Sequence, residues 1–370
     1  MKKMASFTFL LFLWPLLVSV NAYGDEGIPI RTPRELPSSL SSYQTSGTSG
    51  FDGLFSKIFE ARKFLLNFSR ERSFSEERLN VAVLDINHQD TAKILSINHS
   101  GKISSKYTES GTFVVDWGNT KCGVPQVISK PPGFVVLALH RMRSDGSSTT
   151  VYTPYSKYID TPEIRNAGYQ YIRQNILSAE QELRDRGVES LAYPGRLVAD
   201  VAPLSLALRL ALIEHMDPNR FTRESTEKLV NEILVTSGVN MSDSFGCSVS
   251  YAGARGLFQF MEGTYSTIRR KYVSANLMPD FHGGMNNHHN ASKAALLLLD
   301  TDLAFLPEEK KRWMVNNPEH LFEYLAAMYN SGRPAKLISL HGDSWREHLP
   351  AETKKYLLEL RGINRVLSSM

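Results

Sequence analysis

The chain has 370 residues, 42% of them hydrophobic and 22% charged, an ordinary globular composition that excludes a disordered chain. Its formal charge of +4 is too small to argue for nucleic-acid binding, and no basic run with interleaved aromatics appears. The length leaves room for two domains and a sizeable core.

Residues 1–22 read as a secretory signal peptide. Lys2 and Lys3 form the positive start, residues 7–20 the apolar core, and Val20, Asn21 and Ala22 a small-residue cleavage site. The apolar core is shorter than the ~20 residues of a membrane span, and no cysteine follows it to carry a lipid. An exported chain without a membrane anchor is expected, in the periplasm. Residues 23–50 are rich in Pro, Ser, Thr and Gly and read as a linker.

Residues 51–190 read as a β-rich domain with flanking helices. Phe55, Ile58, Phe59, Ala61, Leu65 and Leu66 recover helical spacing. Five short β-rich runs follow, VAVLDI, KILSI, TFVVDW, FVVLALHRM and VYTPYSKYI, separated by turn clusters. Thr161, Pro162 and Glu163 then open a helix with a cap, a first-turn proline and an acid at the positive dipole end. Ile164, Gly168, Ile172, Ile176, Ala179 and Leu183 repeat along it at threes and fours, and Gly187 supplies the stop.

Residues 191–370 read as helical. Leu204, Leu206, Leu208, Leu210 and Leu212 alternate like a strand, whereas Pro203 and the Leu/Ala content favour a helix. Residues 223–236 are amphipathic, and Asn290 or Ser292 is the expected cap of the apolar run at 296–299. Asn317-Pro318 and Pro350 open two further helices. Between these lies SYAGARGLFQFMEGT, residues 250–264, where Gly253, Gly256 and Gly263 interrupt bulky apolar residues around the single amide Gln259. Leu257, Phe260, Met261 and Thr264 fall at helical spacing, so one buried face is expected.

Four pieces in order resemble the soluble lytic transglycosylase family, goose-type lysozyme-like enzymes that cut bacterial peptidoglycan. They are Glu214 closing a buried helix; Ser250, Gly253, Ala254, Gly256, Leu257, Gln259 and Met261; Ala327, Tyr329, Asn330 and Gly332; and Leu349, Pro350, Glu352, Thr353 and Tyr356. The resemblance decides for a helix over 204–213. It covers roughly residues 198–356 and implies an all-α lysozyme-like catalytic domain; with the β-rich runs before it, the fold class expected is α+β, a small N-terminal β-rich domain followed by that catalytic domain. The resemblance also implies cleavage of the MurNAc-GlcNAc bond with one glutamate, Glu214, as acid and then base, and no cofactor. Gln259, Tyr329, Asn330 and Ser250 are implied around the substrate, with Tyr329 bonding near Glu214, and Thr353 and Tyr356 are read as packing. The partner is the glycan strand; the extra β domain suggests, by fold analogy, a remodeller serving a secretion or conjugation machine.

Two departures stand out: His215 replaces the family's serine, and the gap from Glu214 to the glycine motif is longer than the family's. A protonated His215 would weaken Glu214 as an acid. The insertion brings Glu232 as a rival acid, read as facing solvent. No convincing second carboxylate stands beside Glu214; Asp217 is too close in sequence and Glu262 reads as solvated. His282, His288 and His289 match no closed metal set, so no metal is expected. Cys122 and Cys247 either bridge, as an oxidising compartment allows, or stay as buried thiols. A hydrolytic muramidase and a non-cleaving wall-binding assembly module remain as alternatives.

Overall fold

The computed structural model describes residues 52–70, 78–86, 92–98, 103–107, 111–116, 126–129, 132–142, 151–246 and 248–369. The expected signal peptide, the linker, Cys122 and Cys247 lie outside them. The described chain is a mixed α+β structure whose bulk is helical.

Helix α1 (Asp52–Arg70) precedes six strands: β1 (Arg78–Asp85), β2 (Ala92–Asn98), β3 (Ile103–Tyr107), β4 (Gly111–Asp116), β5 (Gln126–Ser129) and β6 (Phe134–Met142). They form two antiparallel three-stranded sheets, ordered β2-β1-β6 and β3-β4-β5. Strands β3 and β5 were not expected from sequence, and the fifth expected run, 151–159, is no strand. It makes one bridge, Tyr152 to Leu139, and then leaves the sheet. The backbone of Thr153 instead binds a side chain: its N–H donates to Asn240 Oδ1 (2.7 Å) and its carbonyl accepts from Asn240 Nδ2 (2.9 Å). Arg62 of α1 donates to the same Asn240 Oδ1 at 2.6 Å and pairs with Asp243 at 2.9 Å. The face of β1 and β6 is covered by Ile58, Ala61 and Leu65 of α1 together with Ile164, Val235 and Val239.

The helices continue as α2 (Pro162–Asp185), α3 (Val198–Val201), α4 (Leu204–Ile213), α5 (Pro218–Phe221), α6 (Thr226–Asn240) and α7 (Glu262–Lys271). Then come α8 (Phe281–Asn286), α9 (His288–Ala304), α10 (Glu308–Val315), α11 (Pro318–Ser331), α12 (Pro334–His341) and α13 (Ala351–Ser368). No helix among the described residues is long and apolar enough to cross a membrane.

Helix α2 begins where its cap demands, with Thr161 Oγ1 accepting from the Ile164 N–H. Its buried positions are Ile164, Gly168, Ile172, Ile176, Ala179 and Leu183, the six given by spacing. Through them it packs on α6 and α9, so this helix joins the sheet's core to the helical bulk. Helix α6 is buried nearly all round from Leu229 to Asn240, not on one face. The cap of α9 is Asn287, whose side chain accepts from the Asn290 N–H; Asn290 and Ser292, expected as caps, lie inside the helix and are buried. The main core gathers α4 with residues of α2, α6, α9, α11 and α13.

Candidate active site

Helix α4 is leucine-rich and buried on almost every side; Leu206 to Leu208 and Leu210 to Ile213 are inaccessible, and only Arg209 interrupts them. Glu214 is its C-cap, so the chain carries a carboxyl out of that apolar helix at a fixed point. The residue is half-buried and stands at the end of that buried apolar helix. Tyr356 of α13 donates its hydroxyl to Glu214 Oε1 at 2.6 Å. Desolvation pushes the Glu214 carboxyl up to about 7; the Tyr356 hydrogen bond opposes this and the nearby Glu359 carboxyl adds to it. A residue read from sequence as packing therefore holds the acid directly.

The glycine motif is not a helix start. Residues 250–261 form a tight loop pinned by isolated bridges of Arg255 to Val249 and Phe260, and α7 begins only at Glu262. The backbone explains the difference. Gly256 stands at φ +76° and Gln259 at φ +45°, the left-handed region that no helix tolerates. A Cβ on Gly256 would lie 2.5 Å from the Met285 carbonyl oxygen, so glycine lets the loop seat against α8. Leu257 and Phe260 are buried as expected, but Met261 is exposed. Holding a glutamine in the left-handed region costs about 1–3 kcal/mol and marks a backbone over-determined by its surroundings.

This loop frames Glu214. His215 Nε2 donates to the Leu257 carbonyl at 3.1 Å, and its ring stacks on Phe245 with centroids 3.9 Å apart. Burial drives the imidazole down to about 3, so it stays neutral and adds no positive charge beside Glu214. Tyr329 of α11 donates to the Phe258 carbonyl at 2.5 Å, rather than to Glu214, and packs edge-on against Phe260. It remains close to Glu214 electrostatically, and burial lifts its hydroxyl well above the ordinary range. Glu214, residues 257–260, Tyr329 and Tyr356 thus meet from four separate stretches of chain.

The remaining sequence candidates divide. Gln259 is partly exposed and its side-chain amide donates to the Gly256 carbonyl at 2.9 Å. Ser250 is exposed; its Oγ accepts from the Ala254 N–H at 3.0 Å and orders the loop's tip. Asn330 Oδ1 accepts from Thr353 Oγ1 at 2.8 Å, tying α11 to α13. Glu232 does not face solvent. Arg220 clamps both its oxygens, at 2.7 and 2.8 Å, and also binds Glu224. Asp217 caps α5, and Glu262 is exposed in the first turn of α7. The three histidines go separate ways: His288 pairs with Tyr171, His289 binds Glu182 at 2.6 Å, and His282 is exposed.

Glu359 escaped the sequence reading. It is buried on α13, and burial pushes its carboxyl up to about 7. The signal was present: Tyr356, Leu360 and Ile363 mark the buried face by their spacing, and Glu359, three residues from Tyr356, falls on it. No family model matches the chain, and no curated protein or solved structure matches it either.

Proposed function

We propose that the chain is an exported lytic transglycosylase acting on peptidoglycan glycan strands. The observation that carries this reading is Glu214: a half-buried residue whose carboxyl, raised to about 7, accepts from Tyr356 near the loop of Gln259. A general acid works best with a pKa near the operating pH, and burial supplies that here. The order of Glu214, the glycine loop, Tyr329 and Tyr356, which resembles that of the family, supports the reading further.

In the proposed reaction Glu214 gives its proton to the glycosidic oxygen as the C1–O bond breaks, releasing the GlcNAc-bearing side as an alcohol. The substrate's N-acetyl carbonyl steadies the positive C1. The Glu214 carboxylate then takes the proton of the muramyl 6-hydroxyl, and that oxygen bonds to C1, closing a 1,6-anhydro ring. No water is consumed, and the glutamate ends protonated as it began. Neutral His215 suits this cycle, since a cation there would favour the ionised form. Gln259, Ser250, Tyr329 and Asn330 are assigned to the saccharide side. The proposed location is the periplasm, and by analogy of architecture alone the β-rich region suggests a remodeller that opens the wall for a secretion or conjugation machine.

Digestion of purified sacculi in heavy-oxygen water, read by mass spectrometry of the muropeptides, tests the proposal. Unlabelled 1,6-anhydromuramyl ends are expected. Labelled reducing ends would make the chain a hydrolytic muramidase, and intact glycan a binding module.

A further inference from the structure

Glu359 is a buried carboxyl that the proposed reaction does not use. The residue is 5% exposed, and its Oε1 has no hydrogen-bond partner. It follows Tyr356 by three positions on α13, so the two side chains share the helix face that meets α4. Burying a carboxyl without an ion pair is costly, and the group answers by keeping its proton.

The charged groups on the helices packed with α13 have other partners. On α13, Lys355 donates to the Pro218 carbonyl, and its charge draws the Glu359 carboxyl down against the larger rise that burial causes. On α4, Arg209 donates to Asn364 Oδ1 and to the Ser205 carbonyl. On α11, Glu323 is held by Arg346 and Arg361, and Tyr329 is neutral. On α6, Lys228 binds Glu224, and Glu232 is spent on Arg220. Among the described residues no cation forms an ion pair with Glu359. The neighbouring acid is Glu214, bound by the hydroxyl of Tyr356, which lies three residues before Glu359 on the same buried face.

We propose that Glu359 is a positioning residue for the acid: it places a second, buried carboxyl beside Glu214, so that ionisation of either one opposes ionisation of the other. The inference rests on the reading of Glu214 as the catalytic acid, but the coupling itself needs no substrate. Glu359 touches neither substrate nor reacting atoms; it acts by keeping the proton on Glu214 toward neutral pH. Two such groups titrate as a pair, with apparent values belonging to both.

The test is carbon NMR titration of the full chain labelled at the glutamate carboxyls, as wild type, Glu359→Gln and Glu214→Gln. In Glu359→Gln the Glu214 midpoint should fall by about one pH unit yet stay above that of a free carboxyl, because burial persists. In Glu214→Gln the Glu359 midpoint should fall equally, since linkage is reciprocal. If one variant fails to fold, the other reads the same coupling from the opposite side. Midpoints that do not move when the partner is neutralised would overturn the inference, even with glycan cleavage intact. Coupling without glycan cleavage would leave the inference standing and remove the enzymatic reading. Where cleavage occurs, Glu359→Gln should bring its alkaline limb to lower pH by the same interval and leave the acid plateau unchanged.

Discussion

Gly168 on α2 and Gly238 on α6 face each other with no side chain between the helices. A Cβ on Gly168 would stand 1.8 Å from the Leu234 carbonyl oxygen and 2.9 Å from the Gly238 nitrogen; one on Gly238 would stand 2.4 Å from the Ile164 carbonyl oxygen. The obstacles are backbone atoms, which cannot rotate away. Gly168→Ala is therefore expected to lose about 3 kcal/mol or more, beyond ordinary overpacking, because two helices must separate. Denaturant unfolding checks this, against Gly263→Ala as control, where a Cβ meets open space.

Glu214→Gln keeps the shape of the side chain and removes the transferable proton. Turnover of sacculi should fall by roughly 10²–10⁴-fold while glycan binding and the melting transition persist. Near-normal turnover here, with loss in Glu232→Gln, would move the acid to the Arg220 clamp.

Tyr356→Phe removes the hydrogen bond that favours the ionised form of Glu214. The midpoint of Glu214 should then rise, opposite to the change expected in Glu359→Gln, and the alkaline limb of the pH–rate profile should move up with it. Turnover on the acid side, where Glu214 is neutral, should fall by up to roughly ten-fold, the worth of one ordinary hydrogen bond, because the carboxyl is no longer aimed.

Glu214 is joined by two buried carboxyls in making stability depend on pH. Asp302 and Glu359 are both pushed up to about 7 by desolvation, above their values of 3.8 and 4.5 in an unfolded chain. The folded state holds their protons where the unfolded state has released them. Their contribution is whole below about pH 4 and is lost as pH rises through 7. The protein should be more stable at pH 5 than at pH 8, by on the order of a few kcal/mol between them. Urea midpoints at the two values measure it, and Asp302→Asn should flatten the slope.

His215 should remain neutral through the physiological range. Its Nε2 must carry a proton to bond the Leu257 carbonyl, and burial holds its midpoint at about 3. Nitrogen NMR should show one tautomer, unchanged from pH 5 to 8; a titration within that window would contradict the site's electrostatics.

What could be read in the sequence followed from one-sided burial. Helix α2 presents one apolar stripe, so its six buried positions and its threonine cap were legible. Helix α4 is buried on nearly all sides, and its leucine alternation carried no usable period; a strand was as consistent with it as a helix. The glycine loop deceived for another reason. Leu257, Phe260 and Met261 happen to fall at helical intervals, whereas the left-handed backbone at Gly256 and Gln259 leaves no trace in hydrophobic spacing. Residues 151–159 have strand-forming side chains, but the Asn240 amide takes the Thr153 backbone bonds that a sheet would need. The site's members were mostly visible; Tyr356 and Glu359 were misjudged or missed because a tertiary contact with Glu214 gives them their importance.

The hydrogen bond between Tyr356 and Glu214 spans 142 positions of chain, which gives the acid a date of birth. Synthesis delivers α4 long before α13, and contacts so distant in sequence form late because the intervening loop must close first. Until α13 docks, Glu214 lacks both the Tyr356 hydrogen bond and the Glu359 carboxyl that bear on its proton affinity. A chain still being made therefore has the carboxyl without the two groups that tune it, and the docking that completes the fold supplies both.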